Sequence, residues 1–149
     1  MGKEYMGTMQ NDKSKVESFF MNSITTENIF RGVKRRDYSF LYHIRKCAEE
    51  DKDGGRVYLS RLSESMGLQM YDISKGVKRL QERGYVEWAT DTERGRTYVV
   101  LTNQAVEMMA TEYERMKKGY DRILSEVGEE ELERTTRTMI KVKDIIDQV

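Results

Sequence analysis

The chain has 149 residues, a formal net charge of zero and 35% charged residues. This length suits one domain with a hydrophobic core of its own. Its single cysteine, Cys47, excludes an intrachain disulfide bond and suits a reducing compartment, so we expect a cytoplasmic protein. We find no apolar run long enough to span a membrane and no secretory signal pattern, and we expect no membrane partner.

Two apolar stripes with helical spacing occupy the N-terminal part of the chain. The first lies at about 13–30. The second follows the basic cluster 34–36, and we expect Asp37 to cap a helix that runs to about Glu50. The positions predicted to face inward on this second helix are Phe40, Leu41, Ile44, Cys47 and Ala48.

The segment 51–55 has the acidic and glycine-rich character of the start of a calcium loop. The position that needs glycine in such a loop holds Arg56, and the position of the closing glutamate holds Leu62. His43 is the only histidine and lacks further nitrogen or sulfur ligands for zinc. We therefore expect no metal and no cofactor, and we predict that 56–59 forms a short strand.

Residues 59–84 have the pattern of a helix-turn-helix. A short helix begins near Leu59, with Ser60 predicted as its cap, and Gly67 supplies the permissive backbone of the turn. A second helix is predicted from about Met70 to Arg83, where Gly84 stops it.

The second helix has two different sides. Ile73, Val77 and Leu80 recur at i, i+4 and i+7 and predict a buried stripe, which Gly76 joins where it would pack against the preceding helix. The opposite face carries hydroxyl and basic groups, which suit base edges and phosphates in a DNA major groove. These residues are Tyr71, Ser74, Lys75, Lys78 and Arg79. The alternative interpretation is an ordinary solvated helix face.

A predicted β-hairpin follows, with strands at 85–89 and 96–101 around a polar turn. Arg94 and Arg96 flank Gly95 at the tip, and Asp91 opens the turn. We expect Asp91 to pair with one arginine and fix the loop, which leaves the other arginine for a phosphate or the minor groove. A polar hairpin without a DNA contact is the alternative.

Taken together, these residues resemble the MarR family of bacterial transcriptional regulators. The shared pattern is an arginine-containing wing that Asp91 opens and that a Leu-Thr pair closes before a long helix. The residues that carry it are Leu62, Leu68, Val77, Leu80, 84–86, Asp91, Arg96 and 99–102. The turn is about one residue shorter than is common in that family, and 103–105 lacks the usual glycine. PadR-like regulators share a Gly-Arg wing, so a related winged-helix subfamily remains an alternative.

The resemblance implies a mainly α fold with a small β wing, in which a winged helix-turn-helix is joined to N- and C-terminal dimerisation helices. We expect one regulator domain, with dimerisation helices at about 1–36 and 103–149 and the DNA-binding lobe at about 37–102. The charges permit this division, since 56–102 carries eight basic and six acidic residues, whereas 103–149 carries eight and eleven.

The C-terminal third has an apolar seam with alternating spacings of three and four, which is typical of helix pairing. Its members are Val106, Met109, Tyr113, Met116, Tyr120, Ile123 and Val127. Gly128 is predicted to end this helix, and three glutamates open the next. There the stripe continues through Leu132, Met139, Val142, Ile146 and Val149. A helical hairpin has too little core alone, so we expect a homodimer, with packing inside one chain as the alternative.

Aromatic side chains indicate where an effector would bind. The resemblance implies a crevice between the helical base and the winged lobe that holds small, often phenolic, ligands. The candidates to line it are Phe19, Tyr38, Tyr42 and Tyr113. Phe20 and Trp88 are further aromatic residues that could line it. Ordinary core aromatics are the alternative. A redox-sensing Cys47 is a further possibility, although it lies on the apolar stripe of its helix.

The expected function is sequence-specific binding of double-stranded operator DNA by a ligand-responsive repressor. We predict base-edge contacts from Tyr71, Ser74 and Lys75. Contacts to the DNA backbone are predicted for Arg61, Lys78, Arg79, Arg94 and Arg96. No Ser-His-Asp or Cys-His arrangement and no glycine-rich phosphate loop is convincing, so we expect no enzymatic activity. The alternative is a winged-helix module that binds protein.

Overall fold

The computed structural model describes residues 15–21 and 30–149. In chain order, its elements are helical residues 15–21 (α1), α2 (Arg35–Asp51), β1 (Val57–Tyr58), α3 (Leu59–Met66), α4 (Met70–Glu82), β2 (Val86–Asp91), β3 (Arg96–Leu101), α5 (Asn103–Val127) and α6 (Glu129–Asp147). The described chain is therefore mainly α with a small β wing, which confirms the predicted fold class. The remainder of the first predicted stripe, at 22–29, lies outside the described residues.

Backbone contacts divide the chain into two compact units. One comprises residues 31–111 and is called the winged-helix unit below. The other, called the helical unit, comprises the described residues up to Phe30 together with 112–149. None of the described helices is both long enough and apolar enough to cross a membrane.

The core of the winged-helix unit comes from α2, α3, α4 and one face of the sheet. On α4 the stripe of Ile73, Val77 and Leu80 is fully buried, as its spacing predicts. Burying each side chain of this size contributes about 1.5–3 kcal/mol. The other buried apolar residues of these elements are Tyr38, Phe40, Leu41, Ile44, Cys47, Val57, Leu59, Leu62, Val86 and Val99.

The sheet is antiparallel with the strand order β1-β3-β2. Val99 of β3 lies between Val57 and Trp88 of its two neighbours, so the short strand predicted at 56–59 is present at Val57–Tyr58 and forms the third strand of the wing sheet. The last pair of the hairpin joins Asp91 to Arg96, and the four residues between them form the turn.

The starts of α2 and α3 differ from the prediction. α3 follows β1 directly with Tyr58 as its N-cap residue, so Ser60 lies inside the first turn and does not cap the helix. α2 has Lys34 as its N-cap residue, and Asp37 falls in the first turn with its side chain fully buried. Neither N-cap residue makes a side-chain capping hydrogen bond. Both predicted caps were wrong because each side chain has a distant partner, described below.

Gly76 permits a close approach of two helices, but not the pair that the sequence suggested. A Cβ atom at Gly76 would overlap the ring of Phe40 on α2. The prediction named the preceding helix, which is α3. The ring occupies the space that the missing side chain leaves, so α4 is seated on α2 at this point.

The helical unit contains α1, most of α5 and α6. Gly128, with φ of 91°, separates α5 from α6, as its position after the apolar seam predicts. Val16, Phe20, Met116 and Leu132 are buried in this unit. Beyond Leu132, the large apolar side chains of α6 and of the residues after it are exposed in the single chain: Met139, Ile140, Val142, Ile145, Ile146 and Val149.

Candidate nucleic-acid interface

The turn between α3 and α4 is built for a sharp change of direction. Gly67 ends α3 with φ of 65°, a left-handed conformation that glycine adopts without strain. The Ser63 hydroxyl donates to the Leu68 carbonyl, and the Leu68 amide donates to the Ser63 carbonyl at 3.2 Å. These bonds fix how α4 leaves the turn, and α4 is the helix that the sequence assigns to the major groove.

The outward side of α4 presents an aromatic ring and two cations. Tyr71, Lys75 and Lys78 are exposed, and Ser74 is half-buried beside them. The Lys75 Nζ atom lies 5.3 Å from the centroid of the Tyr71 ring, which is a cation–π distance. This side lies opposite the buried stripe of α4, so these side chains are available to a partner without disturbing the core.

Arg79 lies on the same helix but is directed towards α2. Its Nε donates to Asp37 Oδ1 at 2.7 Å, and Arg83 Nη1 donates to Asp37 Oδ2 at 3.0 Å. The carboxylate is fully buried, whereas the arginine side chains are 25% and 41% exposed. This cluster fastens the last turn of α4 to the first turn of α2. Arg83 was not predicted as a partner of Asp37, because an aspartate at the start of a helix has the local pattern of a cap.

Arg61 is also engaged by carboxylates. Its Nη2 donates to Glu50 Oε2 at 2.7 Å and its Nε donates to Asp51 Oδ1 at 3.2 Å. The hydrogen bond to Asp51 raises the pKa of Arg61 above its ordinary value. The arginine therefore joins α3 to the end of α2, and its charge is balanced locally by two acids.

Asp91 fixes the wing turn in a way that differs from the prediction. Its Oδ1 accepts hydrogen bonds from the backbone amides of Glu93, at 3.0 Å, and Arg94, at 3.3 Å. Its Oδ2 accepts from the Tyr58 hydroxyl at 3.0 Å. The bond from Tyr58, followed by those amides, lowers the pKa of Asp91. Asp91 therefore fixes the turn, as predicted, and Arg94 is the arginine that it interacts with, through the Arg94 backbone amide and through the attraction of opposite charges rather than through a side-chain hydrogen bond.

The two wing arginines are held to different degrees. Arg96 Nη2 donates to the Ser60 hydroxyl at 2.6 Å, and its guanidinium lies 4.3 Å from the centroid of the Tyr58 ring. Arg94, at the tip, makes a longer hydrogen bond of 3.4 Å to the Tyr58 hydroxyl. Ser60 thus supports the wing rather than capping α3, and Arg94 is the more weakly held of the two cations.

The four effector candidates are distributed between the two units. Tyr38 and Tyr42 lie on α2, where Tyr38 is fully buried and Tyr42 stacks edge-on against His43 at 5.2 Å. In the helical unit, Phe19 makes edge-on contacts with Phe20 at 5.0 Å and Tyr120 at 5.7 Å. Partial burial of Tyr113, in the same unit, raises its pKa.

A groove of about 400 Å³ lies within the helical unit. Apolar parts of Phe19, Tyr120, Leu132 and Ile140 line it, with charged side chains that include Arg137. This groove could not be predicted from local sequence patterns, because it depends on how α1 packs against α5 and α6. Among the described residues, no group of three or more His, Cys, Asp and Glu side chains could hold a metal ion.

Known proteins resemble this chain in structure rather than in sequence. No protein-family model and no curated protein matches the sequence. AbsC, a MarR family transcriptional regulator from Streptomyces coelicolor, is similar with a TM-score of 0.63 and 14% identity, over 98% of this chain and 95% of that one. A MarR protein from Peptoclostridium difficile has a TM-score of 0.60 and 16% identity, over 99% and 84%.

This chain has the MarR fold. A third similar structure is an organohalide-sensing transcriptional regulator with 2,4-dichlorophenol bound, with a TM-score of 0.62 and 12% identity over 94% of this chain and 76% of that one. Two of these three neighbours are described as transcriptional regulators and the third as a MarR protein.

Proposed function

We propose that this chain is a MarR family transcriptional regulator that binds double-stranded operator DNA as a homodimer. The observation that carries the proposal is the outward side of α4, where Tyr71, Lys75 and Lys78 are exposed opposite a fully buried stripe. A helix that follows a tight turn and presents cations and hydrogen-bonding groups suits a DNA major groove. The MarR fold supports the same function.

We assign each exposed residue of this surface a role in DNA binding according to its contacts within the chain. Tyr71, Ser74 and Lys75 contact base edges, and Lys78 neutralises a phosphate. Arg94, at the wing tip, contacts the DNA backbone or enters the minor groove, since it is the less firmly held wing arginine.

Three further cations proposed from the sequence have partners within the chain. Arg61 is paired with Glu50 and Asp51, and Arg79 with Asp37. Arg96 is held by Ser60 and Tyr58. We therefore assign Arg61 and Arg79 to positioning the two helices of the helix-turn-helix, and Arg96 to holding the wing, in place of the contacts to the DNA backbone expected from the sequence.

The exposed apolar side of α6 supports a homodimer. Ile145 and Ile146 are 63% and 65% exposed in the single chain, and they continue a stripe that starts at the buried Leu132. Exposed apolar patches of this kind mark association surfaces. A two-fold pair would place its recognition helices about one helical turn of DNA apart, so the operator should be a pseudo-palindrome.

A small aromatic effector is the proposed regulator, and repression is the proposed outcome of DNA binding. Phe19, Tyr38, Tyr42 and Tyr113 remain the proposed ligand-binding residues. The dichlorophenol-bound relative supports this class of ligand. To change DNA affinity, the ligand must prefer one spacing of the two recognition helices over another. Since Cys47 is fully buried, we do not extend the proposal to redox sensing.

The test is a selection from a random duplex library, followed by fluorescence anisotropy of the selected duplex in a salt titration. We expect the logarithm of the affinity to fall linearly and steeply with the logarithm of the salt concentration. Lys78→Ala should reduce that slope by about two, one for each protomer of the homodimer, and Lys75→Ala should relax the sequence preference. Lys118→Ala, which removes an exposed lysine from α5, is the matched control and should change neither.

Failure to bind any duplex at low salt would contradict the proposal. The second candidate function is then a protein-binding winged helix, which the exposed Leu68 before α4 and the exposed Met70 at its start favour. Binding of that kind would depend only weakly on salt, because it would not displace the counterions of a nucleic acid.

A further inference from the structure

The N-terminal end of α4 exposes a cluster of apolar side chains. In residues 31–111, all of which are described, the exposed large hydrophobic residues are Val106 and three residues within the span 68–71. The three are Leu68, Met70 and Tyr71, with 37%, 45% and 71% of their surface exposed. They are called the apolar end patch below.

The members of the apolar end patch differ in how far they lie from the core of their own unit. The buried stripe of α4 is centred on Ile73 and Val77, and Tyr71 lies about half a turn away from it on the helix. Met70 lies on the side of the stripe, at the exposed end of the helix, and keeps 45% of its surface exposed. Gly67 and the hydrogen bonds between Ser63 and the Leu68 backbone hold the turn, and these bonds do not use the side chains of the patch. The patch is therefore free to act on a partner.

Charges around the patch favour a polyanion as that partner. Lys75 Nζ lies over the Tyr71 ring at 5.3 Å, and Lys78 follows one turn later on the same side. The acid of this turn, Asp72, lies about 160° around the helix from Met70 and about 60° from Lys75, so the two cations on this side outnumber one acid. Its charge also suits the positive end of the helix dipole. The patch and the cations thus form one surface that is apolar at its end and basic along its length.

We propose that the apolar end patch recognises the methyl groups of thymine in the major groove. The inference rests on the proposed function and deepens it, because it names what the half-site must contain. The thymine C5-methyl is the apolar group that a base pair presents in the major groove, and residues at the N-terminal end of a recognition helix reach the base edges. Met70 has a flexible, polarisable side chain that adapts to such a group, and Lys75 steadies the ring of Tyr71.

The test replaces thymine by deoxyuridine, one position at a time, in the duplex selected from the random library. Deoxyuridine keeps the base pair and the O4 acceptor and removes only the methyl group. At the contacted positions of each half-site we expect binding to weaken about fourfold per methyl group, which corresponds to one buried methylene equivalent. Thymines outside the protected half-sites should show no effect.

Variants of the patch identify the residues that sense the methyl group. Met70→Ala and Tyr71→Ala should bind the thymine and deoxyuridine duplexes equally at the affected positions. Tyr71→Phe, which keeps the ring, should retain the discrimination. Lys78→Ala is the matched control on the same helix: it should weaken binding to both duplexes and leave their ratio unchanged. Circular dichroism melting shows whether each variant is folded.

The outcomes separate this inference from the proposed function. If the wild-type protein binds its duplex tightly but equally well with deoxyuridine at every position, or if the selected half-sites contain no thymine, the patch does not read methyl groups and the proposed function stands. If the protein binds no duplex, both proposals fail. If discrimination persists in Met70→Ala and Tyr71→Ala, another part of the chain reads the methyl group and the inference is wrong.

Discussion

The winged-helix unit and the helical unit differ in how far each buries the apolar side chains of its helices. In the winged-helix unit, Ile73, Val77 and Leu80 are fully buried within residues 31–111. In the helical unit, α6 buries Leu132 and exposes the apolar residues that follow, including Ile145 and Ile146. The first unit buries this stripe within its own chain, whereas α6 keeps an apolar surface that a partner could cover.

The two units should therefore differ in how their stability depends on protein concentration. The stability of a core closed within one chain does not depend on protein concentration. A helix whose apolar side is covered only by a second copy is stabilised by mass action. Substitutions in the winged-helix unit should therefore act on unfolding, and substitutions on the exposed side of α6 should act on association.

The largest effect is expected from removing both arginines that pair with Asp37. The double variant Arg79→Met/Arg83→Met leaves a fully buried carboxylate without its ion pairs. An unpaired buried charge of this kind costs about 3–5 kcal/mol in the free energy of unfolding. Urea denaturation followed by circular dichroism measures the loss.

Arg61→Met is the matched control for that experiment. Its partners Glu50 and Asp51 keep 50% and 33% of their side-chain surface exposed, so water replaces the lost bonds. We expect a loss of about 1 kcal/mol or less. Equal losses in the control and in the double variant would mean that burial of Asp37 has no special importance.

The next effect compares one glycine in each unit. Gly76→Ala should destabilise the chain by about 1–3 kcal/mol, because the new methyl group would overlap Phe40. Gly119→Ala, on α5, meets only Phe20 Cζ at 3.7 Å, an ordinary contact. Its better helix propensity should stabilise the chain by about 0.5–1 kcal/mol. Opposite shifts in melting temperature are expected, and shifts of the same sign would contradict the packing described for one of the two glycines.

A smaller effect is expected from truncating the exposed side of α6. Ile146→Ala should weaken self-association about tenfold, as the loss of a central apolar contact does in other interfaces. Lys141→Ala, an exposed residue on another side of the same helix, should leave it unchanged. Sedimentation equilibrium over a range of concentrations measures both. A wild-type chain that stays monomeric at every concentration would remove the proposed reason for the exposed stripe.

The smallest effect concerns pH and His43 on α2. Burial, with a contribution from Lys46, lowers the pKa of His43 below 6.5, and its Nδ1 lies 3.0 Å from the Ser65 hydroxyl. The unfolded chain therefore binds the proton more readily than the folded chain. This contribution to stability is complete above about pH 6.5 and decreases as the pH falls towards the lower folded-state pKa. The decrease should be smaller in His43→Gln, and an identical pH dependence in both proteins would contradict it.

The elements that the sequence predicted well are those with local signals. The stripe of Ile73, Val77 and Leu80 follows from helical periodicity alone. Gly67 and Gly128 mark helix ends because a left-handed backbone favours glycine. Such patterns depend on residues that are close together in the sequence, so the local sequence is enough to predict them.

The predictions that failed depend on residues far apart in the chain. Asp37 is an acceptable helix cap by local rules, but its partner Arg79 is 42 residues away. Ser60 likewise bonds to Arg96, 36 residues away. Local rules could not decide between a cap and a buried ion pair, because that choice depends on how α2, α4 and the wing pack.

In the candidate DNA surface, too, local patterns were predicted well and long-range contacts were not. Helical periodicity placed Tyr71, Lys75 and Lys78 on the outward side of α4, and all three are exposed. It could not show that Arg79 turns towards a buried acid on α2. The contacts of these residues with DNA stay predictions.

The most direct test of the proposed regulator is the mass of its complex with the selected duplex, measured by sedimentation velocity at low salt and again at high salt. We expect two chains on one duplex that carries two half-sites about one helical turn apart, and dissociation from the DNA at high salt. A complex of one chain per duplex would contradict the homodimer. No complex at low salt, for a protein that is folded and self-associated, would contradict DNA binding itself.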